Sequence, residues 1–212
     1  MEEIVRGVKT FQEHGYTERK ALFKELANGQ NPEVLFITCS DSRIDPNLLT
    51  NAEPGDLFIC RNAGNVVPPH SNVTGGMTAS IEFAVSILGV QHIVICGHTD
   101  CGAMRAVIDP AGLDSVPHVK NWLGHCRAAG EIVKAKYGKL QPQHMNDVIE
   151  ANVVMQMQHL RTHPAVAVQL AQKAISLHGW VYDIKSGDVK VYNDNADTFL
   201  SLEEAYPEFI NK

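Results

Sequence analysis

The strongest constraint on this chain is a set of three short apolar runs that each stop at a polar cluster. Val34-Leu35-Phe36-Ile37-Thr38, Leu57-Phe58-Ile59-Cys60 and His92-Ile93-Val94-Ile95-Cys96 place large or β-branched side chains at consecutive rather than alternate positions. A strand apolar on both faces must be covered on both, which is the situation of a parallel sheet with helices packed over each side. Helical patterns lie between and after the runs. Gly75-Gly76 opens a helix through Ile81, Ala84, Val85 and Leu88, with Gly89 as its stop. Further helices are predicted over 118–137, 144–162 and 164–178, the last with Pro164 in the permitted first turn. Near the end, Trp180-Val181-Tyr182-Asp183-Ile184, Ser186-Gly187-Asp188 and Val189-Lys190-Val191-Tyr192 read as strand, tight turn and strand. The prediction is an α/β fold: a mostly parallel central sheet with an antiparallel edge strand, flanked by helices.

Residues 2–28 carry Ile4, Val5, Val8 and Phe11, then Leu22 and Leu26, at helical spacing. They read as one or two amphipathic helices, broken near Gly15. No internal repeat, low-complexity tract or linker divides the 212 residues, so 1–212 is read as a single domain with 1–28 as an amino-terminal helical arm.

Composition excludes several classes of function. A net charge of −6 with no run of Lys and Arg argues against a nucleic-acid partner, which needs a concentrated basic face. No apolar stretch approaches the roughly 18–20 residues of a membrane helix, and the amino terminus lacks the layout of a signal peptide. The expectation is a cytoplasmic protein, in which five cysteines point to metal binding or catalysis before disulfides.

Two of the buried runs end in reactive loops: Cys39-Ser40-Asp41-Ser42-Arg43, and Gly97-His98-Thr99-Asp100-Cys101-Gly102. Open α/β sheets bind ligands at the carboxyl ends of their strands. If the two strands are neighbours, Cys39 faces the His98–Cys101 pair there. Two thiolates and an imidazole suit Zn²⁺, and three protein ligands leave a fourth position for water, as in catalytic sites. Spacing alone leaves a second reading open, with Cys39 a small buried hydrophobe and His98 a turn residue bonded to backbone. Asp41 beside Arg43 tips the balance, because a carboxylate kept ionised by a guanidinium can orient a water or close onto a metal. The remaining histidines, among them His92, His118, His125 and His159, read as surface or core residues, and Cys60, Cys96 and Cys126 as buried thiols.

The paired loops resemble the signature of the β-class carbonic anhydrases. The likeness runs through Pro54-Gly55-Asp56-Leu57-Phe58, Arg61-Asn62-Ala63-Gly64-Asn65, Gly75-Gly76, Ile81-Glu82-Phe83-Ala84-Val85 and His178-Gly179-Trp180-Val181-Tyr182. It is similar to the plant-type branch, including the bacterial enzyme that accompanies cyanase. The resemblance implies the β-carbonic anhydrase fold and reversible hydration of carbon dioxide to bicarbonate and a proton by a zinc-bound hydroxide. It implies Cys39, His98 and Cys101 as zinc ligands, with one zinc per chain, and Asp41–Arg43 as the catalytic dyad. Asp41 would ligate zinc only in a closed resting state. Gln30 would donate to bound bicarbonate, with Phe58, Ala63, Phe83 and the backbone of Gly102 lining the substrate pocket. In this family an arm like 1–28 wraps a neighbouring subunit, which implies a homodimer or higher homo-oligomer. Two other readings of the same residues are a CS2 or COS hydrolase on this scaffold and a non-catalytic zinc-binding domain.

Overall fold

The computed structural model describes residues 1–210. Two compact units are present, Met1–Asn31 and the remainder from Pro32 on. In the first, helix Glu2–Thr10 runs into a wide turn at Phe11–Gly15 and on through Tyr16–Glu18, and a second helix spans Lys20–Leu26. The break falls at Arg19 (φ −105°, ψ 20°) and not near Gly15, which keeps helical angles (φ −56°, ψ −42°). The Phe11 ring packs over Gly15. Phe11, Tyr16 and Phe23 form a cluster with centroids 5.3–6.3 Å apart, and this ties the two helices together across the break.

The second unit is built on a six-stranded sheet in the order β2-β1-β3-β4-β5-β6. Strands β1 (Val34–Cys39), β2 (Leu57–Asn62), β3 (His92–His98) and β4 (Ser176–Tyr182) are mutually parallel. β5 (Val189–Asn193) and β6 (Thr198–Ser201) then add antiparallel. The double apolar character of β1 and β3 is used as predicted, whereas β2 lies at the sheet edge and leaves Ile59 exposed. Leu35, Ile37, Ile93 and Ile95 fill the larger core on one face, while Phe36, Val94 and Cys96 form a smaller cluster on the other. Each such side chain contributes about 1.5–3 kcal/mol on burial. After β2 the chain crosses to the far side of β1 to form β3, so β1 and β3 flank the point where strand order reverses, and their carboxyl ends open the crevice there.

The Met145–Arg161 helix, close to the predicted span, lies across β3 and β4. It approaches tightly because Gly97 in β3 has no side chain: a Cβ there would sit 2.8 Å from Val153 Cγ2. The helix predicted over 118–137 is two, Pro117–Leu123 and Arg127–Tyr137, joined by a tight turn. The one predicted over 164–178 stops at Ala171, and Ser176–His178 begins β4. Its stop is a Schellman motif, with Lys173 N–H to Leu170 O and Ala174 N–H to Gln169 O. The left-handed position is filled by Lys173 (φ 57°) in place of glycine, so the usual sequence signal is missing. Helices Pro46–Thr50 and Gly102–Ile108 and strand β6 are additional to the predicted elements.

Candidate active site

β1 and β3 pair directly, with Thr38 opposite Cys96, which sets Cys39 and His98 side by side at the ends of neighbouring strands. Cys101 follows at the start of the Gly102–Ile108 helix. The Cys39 and Cys101 sulfurs and a His98 ring nitrogen all lie within 4.8 Å of one another, and all three residues are buried. His98 Nδ1 lies 2.9 Å from the Thr99 carbonyl. A carbonyl only accepts, so Nδ1 carries the hydrogen and Nε2 keeps its lone pair. That Nε2 is buried without a hydrogen-bond partner. An orphaned acceptor facing two sulfurs is what a metal ion would satisfy, and two S donors with one N fit zinc.

The sulfurs are electrostatically unequal. The Cys39 pKa is lowered to about 4, first by a hydrogen bond from Cys101, with burial opposing, and further by His98 and the Gly64 N–H. Cys101 is raised, because it donates to Cys39 and is buried. Burial disfavours a charged His98, yet the closeness and negative charge of Cys39 outweigh it and raise its pKa. The pair therefore shares one proton that a dication must displace. The other thiols are inert, with Cys96 and Cys126 each pushed up to about 12 by burial.

Asp41 sits just outside the triad, its Oδ2 3.9 Å from His98 Nε2. Arg43 holds it through Nε to Oδ1 at 2.9 Å, Nη2 to Oδ2 at 2.8 Å and backbone N–H to Oδ1 at 3.0 Å. The fork is bidentate, and it keeps the Asp41 carboxyl well below the usual carboxylate range. Arg43 is held in turn by Asp100, whose side chain and carbonyl accept from it at 3.1 and 3.2 Å and whose second oxygen pairs with Arg105. Arg61 clamps the loop from below, donating to the Cys39 and Asp41 carbonyls at 3.1 and 2.8 Å. Sequence reasoning assigned Asp100, Arg105 and Arg61 no role, since nothing in their spacing marks which carbonyl or carboxylate they reach.

Ala63 and Gly102 lie beside the triad. Ala63 precedes Gly64, whose N–H points at Cys39 Sγ at 3.4 Å, and Gly102 follows Cys101. Phe58 and Phe83 pair with each other, centroids 6.0 Å apart. Phe58 is level with Leu35, four residues before Cys39, so on strand rise the pair is about 13 Å from the triad of its own chain. Gln30 is an exposed residue of the first unit.

Known proteins resemble this chain over nearly its whole length. The family model for carbonic anhydrase matches residues 34–189. A carbonic anhydrase of Pseudomonas aeruginosa is 47% identical over 98% of this chain and 94% of its own. The solved β-carbonic anhydrase CcaA superposes with a TM-score of 0.92 at 38% identity, covering 95% of this chain and 91% of that one. A tetrameric β-carbonic anhydrase of Sordaria macrospora gives 0.78 at 28% identity, with 90% and 95% covered. The chain belongs to the carbonic anhydrase family, in its β class, and is an enzyme of carbon dioxide hydration.

Proposed function

We propose that hydration takes place at Cys39, His98 and Cys101 loaded with one zinc per chain, with Asp41 and Arg43 as the catalytic pair. The observation that carries the reading is the buried, unpartnered His98 Nε2 facing two sulfurs. Zinc, when bound, lowers the pKa of water to about 7 and so supplies a nucleophile at neutral pH. Arg43 keeps Asp41 ionised and turned, so that Asp41 accepts a hydrogen bond from the attacking water and leaves its lone pair for the carbon of CO2. The Gly102 N–H donates to the substrate oxygens as charge grows on them. The Asp41 carboxylate bonded to Arg43 supports a reading in which Asp41 stays off the metal.

The homo-oligomer is part of this proposal. Ile4, Val5, Val8 and Phe11 are all about half exposed or more, an apolar stripe that a second copy would cover. Phe58 and Phe83, remote from their own triad, can wall a pocket only for a site that another copy brings to them. No helix among the described residues is long and apolar enough to cross a membrane. Five free cysteines, two of them ligands that must stay reduced, support a reducing cytoplasm.

The test is stopped-flow CO2 hydration before and after chelation, with metal analysis of the same samples. Activity and zinc should be lost together and return together on adding zinc. Undiminished activity in metal-free protein, or turnover of CS2 without CO2 hydration, would overturn the reading.

A further inference from the structure

The Met145–Arg161 helix buries polar side chains that the catalytic reading does not use. Asn152 and Gln156 are 1% and 0% exposed, and with His159 they share one helix face. All three reach the segment that follows β2. Gln156 Oε1 accepts from Val67 N–H at 2.8 Å, and His159 Nδ1 lies 2.7 Å from the Val67 carbonyl. Gln156 Nε2 donates to Asn152 Oδ1 at 2.9 Å. That bond orients the Asn152 amide, leaving its Nδ2 to donate to the Gly64 carbonyl at 3.1 Å. One peptide earlier, Trp122 Nε1 donates to the Ala63 carbonyl at 2.9 Å.

These two bonds fix the planes of both peptide groups flanking Gly64, and with them the direction of the Gly64 N–H. That N–H meets Cys39 Sγ at 3.4 Å. Gly64 itself is left-handed (φ 82°), and a Cβ would lie 2.9 Å from Ala103 Cβ, so no other residue fits without displacing the turn. An N–H donor draws charge from a thiolate, and outer contacts of this kind tune what a ligand gives its metal.

We propose that Asn152 and Trp122 are positioning residues for the metal centre, aiming the Gly64 N–H at the Cys39 sulfur and so setting how strongly that thiolate donates to the metal. The inference rests on the reading of Cys39 as a ligand. The test uses the cobalt-substituted holoenzyme, with Asn152→Ala and Trp122→Phe as variants and Leu160→Ala, a fully buried apolar site on the same helix, as a packing control. In both polar variants the near-ultraviolet sulfur-to-cobalt charge-transfer band should move to longer wavelength, because a thiolate without its donor is easier to oxidise. In the zinc forms kcat should fall about tenfold with KM little changed. The Leu160→Ala band should stay in place. Trp122→Phe removes one N–H from a half-buried ring, so it decides the matter alone if Asn152→Ala does not fold. Wild-type bands in variants that fold and carry one cobalt per chain would overturn the proposal. If Cys39→Ser leaves the wild-type band unchanged in position and intensity, Cys39 is not a ligand, and it is the underlying reading that fails.

Discussion

At the scale of single residues, Arg43 places three hydrogen bonds on the one carboxylate of Asp41. Asp41→Asn keeps the shape and removes the charge, so it is predicted to lower kcat by about 10²-fold or more with metal content unchanged, read by stopped-flow assay and metal analysis. Arg43→Lys keeps the charge and loses the fork, since an ammonium cannot hold both oxygens in one plane. It is predicted to lower kcat about tenfold; wild-type turnover in that variant would show that charge alone suffices. The pair was legible in the sequence because both partners lie in one short loop. Asp100 was not, because it comes from the loop after β3 and meets Arg43 only once β1 and β3 pair.

At the scale of elements, the approach of the Met145–Arg161 helix to β3 depends on Gly97, where an added Cβ would lie 2.8 Å from the β-branched Val153 and 3.4 Å from Ile149. Val153 has little freedom to move aside. Gly97→Ala is therefore predicted to cost about 1–3 kcal/mol in denaturant unfolding. Adding Val153→Ala should recover part of that loss, which a double-mutant cycle would show as coupling between the two sites. The strands of this layer were visible as apolar runs and the helix as a periodic one. Their close contact was not visible, because it joins Gly97 to a residue far along the chain.

At the scale of the whole molecule, burial lowers the pKa of His159, His163 and His178. An unfolded histidine binds a proton near pH 6.5, whereas these bind theirs lower, so the unfolded state gains protons first as pH falls. Stability is thus lost as pH drops through 6.5 toward the folded values. Thermal melts from pH 7.5 to 5.5 should show a falling Tm, with a shallower slope in His163→Gln than in wild type. The apolar stripe of the first unit gives a second prediction at this scale: light scattering should find an oligomer, and Val5→Asp should reduce its size or dissociate it.

The sequence alone determined the local features: consecutive apolar runs that must be covered on both faces, helix periodicity, and two loops whose side chains have the donors for zinc. These depend on neighbours within a few residues, where composition and spacing are the physics. It misplaced the end of the Pro164–Ala171 helix, because Lys173 fills a left-handed position that glycine usually announces. Only the tertiary structure decided that β1 and β3 are adjacent, which turns a cysteine and a distant His-x-x-Cys into one cluster within 4.8 Å. It also decided that Asn152 and Trp122 reach the peptides around Gly64. A hydrogen bond acts over about 3 Å of space, and the chain between such partners carries no record of their meeting.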